Sequence, residues 1–242
     1  MQKVATLASA LKRSLFFRHL DISQLDKRLG TYEFPNQSLK GLVTSLPNLT
    51  SLDISGTNLA GTGSYEDQRV VKCDIPGLVS RVDHPLEFLG LYKTEHEASL
   101  RAHIPAKEIS GEVTESHMLS AARRYLHRPE VLETVLAGFY HRVRTEDYKD
   151  NKSILEIVLI AMERYTETKK IQFSCTATLY YIVLYNINGG MNLKVKRKVL
   201  STLLNIMYAH RHDTVVVRNG CLTLSRFELP HDVVSLRYFS MK

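Results

Sequence analysis

Tryptophan is absent from this chain of 242 residues, and cysteine is scarce, with three. Cys73, Cys175 and Cys221 lie too far apart for a disulfide scaffold or a clustered zinc site, which points to a reduced, cytoplasmic or nuclear setting. No stretch reaches the roughly 18 uncharged apolar residues of a membrane-spanning helix, and Lys12 and Arg13 break the one apolar run near the amino terminus that could resemble a secretory signal. The chain also lacks a Walker A loop, a dinucleotide-binding glycine pattern, His-Glu-x-x-His and Gly-x-Ser-x-Gly. Those chemistries need these residues at fixed spacing, so a binding module is favoured over an enzyme. The ten histidines are scattered. His210 and His212 form the one close pair and have no neighbouring cysteine or carboxylate pattern, so neither a metal nor a cofactor is expected.

What is present is globular in character. Hydrophobic residues make up 44% and charged residues 24%, the balance of a folded domain, and the length suits one large domain or two small ones. The net charge of +7 is uneven: residues 1–110 are nearly neutral, and most of the excess lies beyond them, around Lys194, Lys196, Arg197, Lys198, Arg211 and Arg218. Such a half attracts acidic partners. No aromatic residues interleave with these cations as base stacking would require, so no DNA partner is expected.

Two kinds of repetition run along the chain. The first is Leu-x-x-Leu-x-Leu, met at Phe17, Leu20 and Ile22, at Leu49, Leu52 and Ile54, and at Leu86, Leu89 and Leu91. Leu20–Ser23 and Leu52–Ser55 share the tetrapeptide Leu-Asp-Ile-Ser. Alternate residues of a short strand enter a core, and Asn58 stands where a leucine-rich repeat places an asparagine to satisfy backbone groups at the bend. A helix over 38–46 fills the convex side, and Thr57–Asp67 reads as a polar, mobile insertion.

The second repetition is helical and follows a linker over 103–112. The spacing predicts helices over 114–127, 130–144, 152–166, 169–187, 194–209 and 214–227. A shift of 46 residues carries Ile154, Ile157 and Val158 onto Leu200, Leu203 and Leu204, and Ile171 and Cys175 onto Val217 and Cys221. Units of that length characterise stacked armadillo or HEAT helices, and in this register both cysteines belong to the core. The fold class expected is α+β to mostly α: a leucine-rich-repeat segment over 1–104, followed by an armadillo-like α-solenoid over 105–242 that is incomplete at its carboxyl end. Val233–Phe239 is then expected to expose an apolar edge.

With Leu89-Gly90-Leu91, His103-Ile104-Pro105-Ala106, Ser110-Gly111, His127-Arg128-Pro129-Glu130, Val217-Arg218-Asn219 and Cys221-Leu222-Thr223-Leu224 in this order, the chain resembles the Zyg-eleven and Zer-one proteins, substrate receptors of cullin-2 RING ubiquitin ligases. The resemblance implies a non-catalytic receptor. Its partners would be elongin B/C and cullin-2, with substrate proteins bearing an N-terminal glycine or another small first residue, and neither DNA nor a membrane. Ser14-Leu15 is similar to the start of the family's docking box, but His19 stands where that box has a cysteine. The family's degron pocket contains a tryptophan, which this chain lacks, so no pocket residue is carried over and the chain reads as a fragment. The residues expected to line a peptide groove are those beside the core on the inner helices, namely Gln172, Arg218 and Asn219. The alternative is an armadillo-like adaptor or transport scaffold whose basic half binds acidic peptides or proteins.

Overall fold

The structure, a computed structural model, describes residues 17–24, 31–63, 73–145, 149–186 and 191–227. The chain divides into two compact units, Met1–Arg124 and Tyr125–Lys242.

In the first unit four strands, β1 (His19–Asp21), β2 (Ser51–Asp53), β3 (Leu86–Gly90) and β4 (Ala106–Ser110), form one sheet in sequence order. Every neighbouring pair is parallel. The leucine pattern explains this: Leu49, Leu52 and Ile54 enter the core beside Leu86, Leu89 and Leu91, and each strand buries its apolar set only in register with the next. Helix α1 (Pro35–Ser45) supplies Leu39, Leu42 and Val43 from the other side. It starts on Pro35, whose fixed φ suits a first helical turn. Its last turn carries no basic residue, and a distant one serves instead. Arg81, at the end of the 3₁₀ helix Pro76–Arg81, is buried and donates to the carbonyls of Val43, Leu46, Pro47 and Leu49 at 3.1, 2.6, 3.2 and 3.1 Å. Asn58 performs its expected task, accepting from Tyr32 N at 3.0 Å and donating to Tyr32 O at 2.9 Å.

Three features of this unit depart from the sequence reading. Strand β4 falls inside the stretch read as a linker, and the division between units lies after Arg124 rather than at 104/105. The edge strand Ala-Lys-Glu-Ile-Ser has a weak signal because its charged side chains face outward. Lys107 pairs with Glu87 on β3 at 2.8 Å, while Ile109 sits in register with Leu89. Helix α2 (Glu115–Arg124) is tied to β4 by Ser120 Oγ, which donates to Glu108 Oε1 at 2.7 Å. The segment read as a mobile insertion begins with Thr57, Leu59, Ala60 and Gly61, all buried. Arg101 holds this turn, donating to the carbonyls of Ala60 and Gly61.

The second unit contains α3 (Pro129–Arg144), α4 (Asn151–Arg164), α5 (Lys169–Asn186), α6 (Leu193–Ala209) and α7 (Thr214–Leu224). Helices α3, α5 and α7 pack side by side in one layer, and α4 packs beside α6 in the other. The buried positions of successive helix pairs match at a shift of 45 residues, not 46. Ile154, Leu155, Val158 and Ala161 correspond to Val199, Leu200, Leu203 and Ile206, all buried, and Ile171 and Cys175 correspond to Val216 and Gly220. Cys221 is therefore exposed, not a core residue. A one-residue error turns a helical position by about 100°, enough to move it from core to surface. Between α3 and α5 the buried positions match at a shift of 40 residues, which takes Val131, Val135 and Phe139 to Ile171, Cys175 and Leu179. Gly220 has a steric reason, since a Cβ there would lie 2.3 Å from Met207 Sδ.

The docking-box resemblance at Ser14-Leu15 and the apolar edge at Val233–Phe239 lie outside the described residues.

Candidate functional site

The α3–α5–α7 layer buries one face of each helix against α4 and α6, and the other face is not covered by another helix among the described residues. The 40- and 45-residue registers bring equivalent side chains into rows on that open face. One row holds Glu133, Phe173 and Arg218, the next Thr134, Ser174 and Asn219, and the next Ala137, Ala177 and Leu222. Adjacent helices are tied by charge: Lys170 Nζ lies 3.5 Å from Glu133 Oε1, and Lys169 Nζ lies 2.6 Å from Asp213 Oδ2. Asp213 is also the N-cap of α7, its Oδ1 accepting from Val215 N and Val216 N. The Lys169 bond, then the two backbone donors, hold its carboxyl below the ordinary range.

Arg218 is exposed on this face, and Asn219 is half-buried, donating from Nδ2 to Thr176 Oγ1 at 3.2 Å. The expectation for Gln172 is corrected: it is fully buried. Its Nε2 donates to the carbonyls of Met162 and Tyr165 at 3.1 and 2.8 Å, closing the end of α4. Under the 45-residue register the α5 counterparts of Arg218 and Asn219 are Phe173 and Ser174, so the position assigned to Gln172 belongs to them.

A second feature of the layer escaped the sequence reading. Tyr140 and Arg144 on α3 meet Tyr181 and Tyr185 on α5. The rings of Tyr140 and Tyr181, and of Tyr181 and Tyr185, have centroids 6.0 Å apart with interplanar angles of 55° and 31°. Arg144 Nη1 donates to Tyr140 Oη at 3.5 Å, and Tyr185 Oη donates to Arg144 O at 3.2 Å. The Tyr140 hydroxyl raises the pKa of the exposed guanidinium above its ordinary value. Tyrosines at a spacing of four on α5 and an Arg four residues after Tyr140 are a readable signal, but only the 40-residue register brings them to one place.

Burial raises the pKa of the Cys175 thiol, which makes it inert. Asp74 accepts from Ala102 N and His103 N at 3.0 and 2.8 Å, and the His103 backbone donor is the largest influence lowering its pKa. Among the described residues no group of three or more His, Cys, Asp or Glu gathers as a metal would require. No described helix is long and apolar enough to cross a membrane.

Comparison with known proteins matches the two parts of the chain separately. Residues 2–94 match the family of Zer-1-like leucine-rich repeats, and residues 160–242 match the zer-1 homolog-like C-terminal domain. Protein zer-1 homolog of Drosophila melanogaster is 41% identical over 237 residues, covering 92% of this chain and 30% of that protein. Zyg eleven-related protein 1 of Caenorhabditis elegans is 37% identical over 225 residues, covering 90% and 25%. The human protein zer-1 homolog is 32% identical over 231 residues, covering 89% and 29%. The chain thus spans under a third of the length of these relatives. No solved structure matches. With its leucine-rich part and its helical part each matched, and relatives aligned across nine-tenths of its length, the chain belongs to the Zyg-eleven and Zer-1 family.

Proposed function

We propose that this chain is part of a non-catalytic substrate receptor of a cullin-2 RING ubiquitin ligase, acting in the cytoplasm or nucleus. Its helical unit is read as an armadillo-like stack that presents peptide on the open face of α3, α5 and α7. The observation that carries the reading is the pairing, in one chain, of two parts that each match the Zer-1 family. Stacked helical repeats act through extended surfaces, and rows of equivalent side chains such as Thr134, Ser174 and Asn219 suit an extended peptide backbone. Elongin B/C and cullin-2 are the proposed assembly partners, and proteins with a free N-terminal glycine are the proposed substrates.

Co-purification with elongin B/C and cullin-2, together with binding of peptides that begin with free or acetylated glycine, tests this. The expected outcome is association with the ligase subunits and a preference for the free amine, weakened by Asn219→Ala. Failure to associate with either overturns the receptor reading for this chain.

A second reading is an adaptor for acidic peptides. It is favoured by Arg218, which is exposed and has no carboxylate partner among the described residues. Binding of such peptides would fall with added salt, and Arg218→Glu would abolish it while leaving glycine recognition intact.

A further inference from the structure

The tyrosine cluster between α3 and α5 has a composition that selects its ligand. Tyr185 is 39% exposed, Tyr140 and Tyr181 are half-buried, and Arg144 is exposed. Its guanidinium can only donate, and its phenol hydroxyls can donate as well as accept. Neither the Tyr140 nor the Tyr181 hydroxyl donates to a protein acceptor among the described residues, and Arg144 has no carboxylate partner among them. The phenol of Tyr140 accepts from Arg144 but does not neutralise it. A surface of ring faces, phenol hydroxyls and a guanidinium with no carboxylate partner among the described residues complements a ligand rich in acceptors and apolar rings.

A proline-containing segment has that character. Proline lacks the backbone N–H and leaves its carbonyl free. The polyproline-II helix has no internal hydrogen bonds, is ordered before binding, and docks on aromatic-lined grooves. It advances about 3.1 Å per residue, so two residues span roughly the 6.0 Å between successive rings. The lone guanidinium adds a carboxylate to the specification, since Arg engages carboxylates through paired donors. A planar base is a poorer occupant. The Tyr180–Tyr181 pair is edge-on at 71°, and the other two pairs are tilted by 55° and 31°. None forms the parallel slot that would hold a base, whereas a puckered pyrrolidine ring fits between tilted faces.

We propose that Tyr140, Tyr181, Tyr185 and Arg144 form a docking site for an acidic, proline-rich segment of a partner protein, with prolines on the tyrosine rings and a carboxylate on Arg144. The site is separate from Arg218 and Asn219 and does not depend on the ubiquitin-ligase reading.

Titration of the full 242-residue chain with a labelled peptide tests it. The peptide is a run of prolines with one central glutamate, and the controls are the same peptide with glutamine and a single-stranded oligouridine. The expected result is binding of the glutamate peptide, weakened about tenfold by glutamine in the peptide or by Arg144→Gln, with no further loss when the two changes are combined. Tyr181→Ala abolishes binding, while far-ultraviolet circular dichroism and the melting temperature show whether that variant is folded. Tyr181→Phe, which keeps the ring, weakens binding only modestly. Equal binding by wild type and Arg144→Gln, tighter binding of the oligouridine, or no binding of the glutamate peptide at millimolar concentration overturns the proposal.

Discussion

The imidazole of His210 donates from Nε2 to the carbonyl of Thr166 at 2.6 Å. It does for its helix pair what the Tyr165 hydroxyl does for the preceding one, where Tyr165 Oη donates to Leu126 O at 2.9 Å. Two different side chains at equivalent positions tie each helix turn to the turn before it. His210→Leu is expected to destabilise the chain by about 1–2 kcal/mol, the range for removing a donor from a partly buried carbonyl. His210→Tyr restores the hydroxyl used in the neighbouring repeat and is expected to lose less. Urea denaturation of the two variants checks the order.

Gln172→Ala removes the amide that closes α4 and leaves a cavity where the side chain was buried. A loss of about 2–4 kcal/mol is expected, read as a lower denaturation midpoint. Peptide binding by the folded variant should be unchanged. A folded Gln172→Ala protein of wild-type stability that has lost peptide binding would return this residue to the groove.

Two glycines respond oppositely to alanine. At Gly90, in register with Asp53, an added Cβ would lie 2.1 Å from Asp53 Oδ1. Asp53 is fully buried, so it has little room to move. Gly90→Ala is expected to cost about 1–3 kcal/mol through overpacking. At Gly41, inside α1, a Cβ meets nothing within 4 Å. Gly41→Ala is expected to gain about 0.5–1 kcal/mol from helix propensity and a stiffer unfolded chain. Thermal melts of the two variants should move in opposite directions.

Asp74 sets part of the acid limb of stability. Its folded pKa is depressed, chiefly by the His103 backbone donor. Its contribution is therefore present above the unfolded value of about 3.9 and is lost as pH falls through the lower folded value. Asp74→Asn keeps an acceptor but not the charge. The gap between wild type and Asp74→Asn in urea melts should be widest near neutral pH and close on acidification below about pH 4. A gap that is constant with pH would show that the charge contributes nothing.

Much of the architecture was legible because apolar spacing is a local property. The three leucine triplets gave three parallel strands, Asn58 bonds the backbone as its position implied, and five helices of the second unit fall within a few residues of their predicted bounds. What was missed depended on neighbours distant in the chain. Strand β4 looks like linker until Ile109 is seen beside Leu89, and Arg81 gives no sign in its own segment that it serves the end of α1. The difference between shifts of 46 and 45 is a local ambiguity as well: runs of adjacent apolar residues such as Ile154-Leu155 and Val199-Leu200 tolerate either shift, and only the burial in the packed helices separates them.

From composition and order of residues came the apolar spacings of the two parts and the family, since each is carried by residue type and spacing along the chain. The folded structure decided that Gln172 is a core amide, that Cys221 is exposed, and that Tyr140, Arg144, Tyr181 and Tyr185 share one surface. The physical reason is common to all three. A helix position faces core or solvent according to a rotation of about 100° per residue, and only the packing of one helix on the next fixes that rotation.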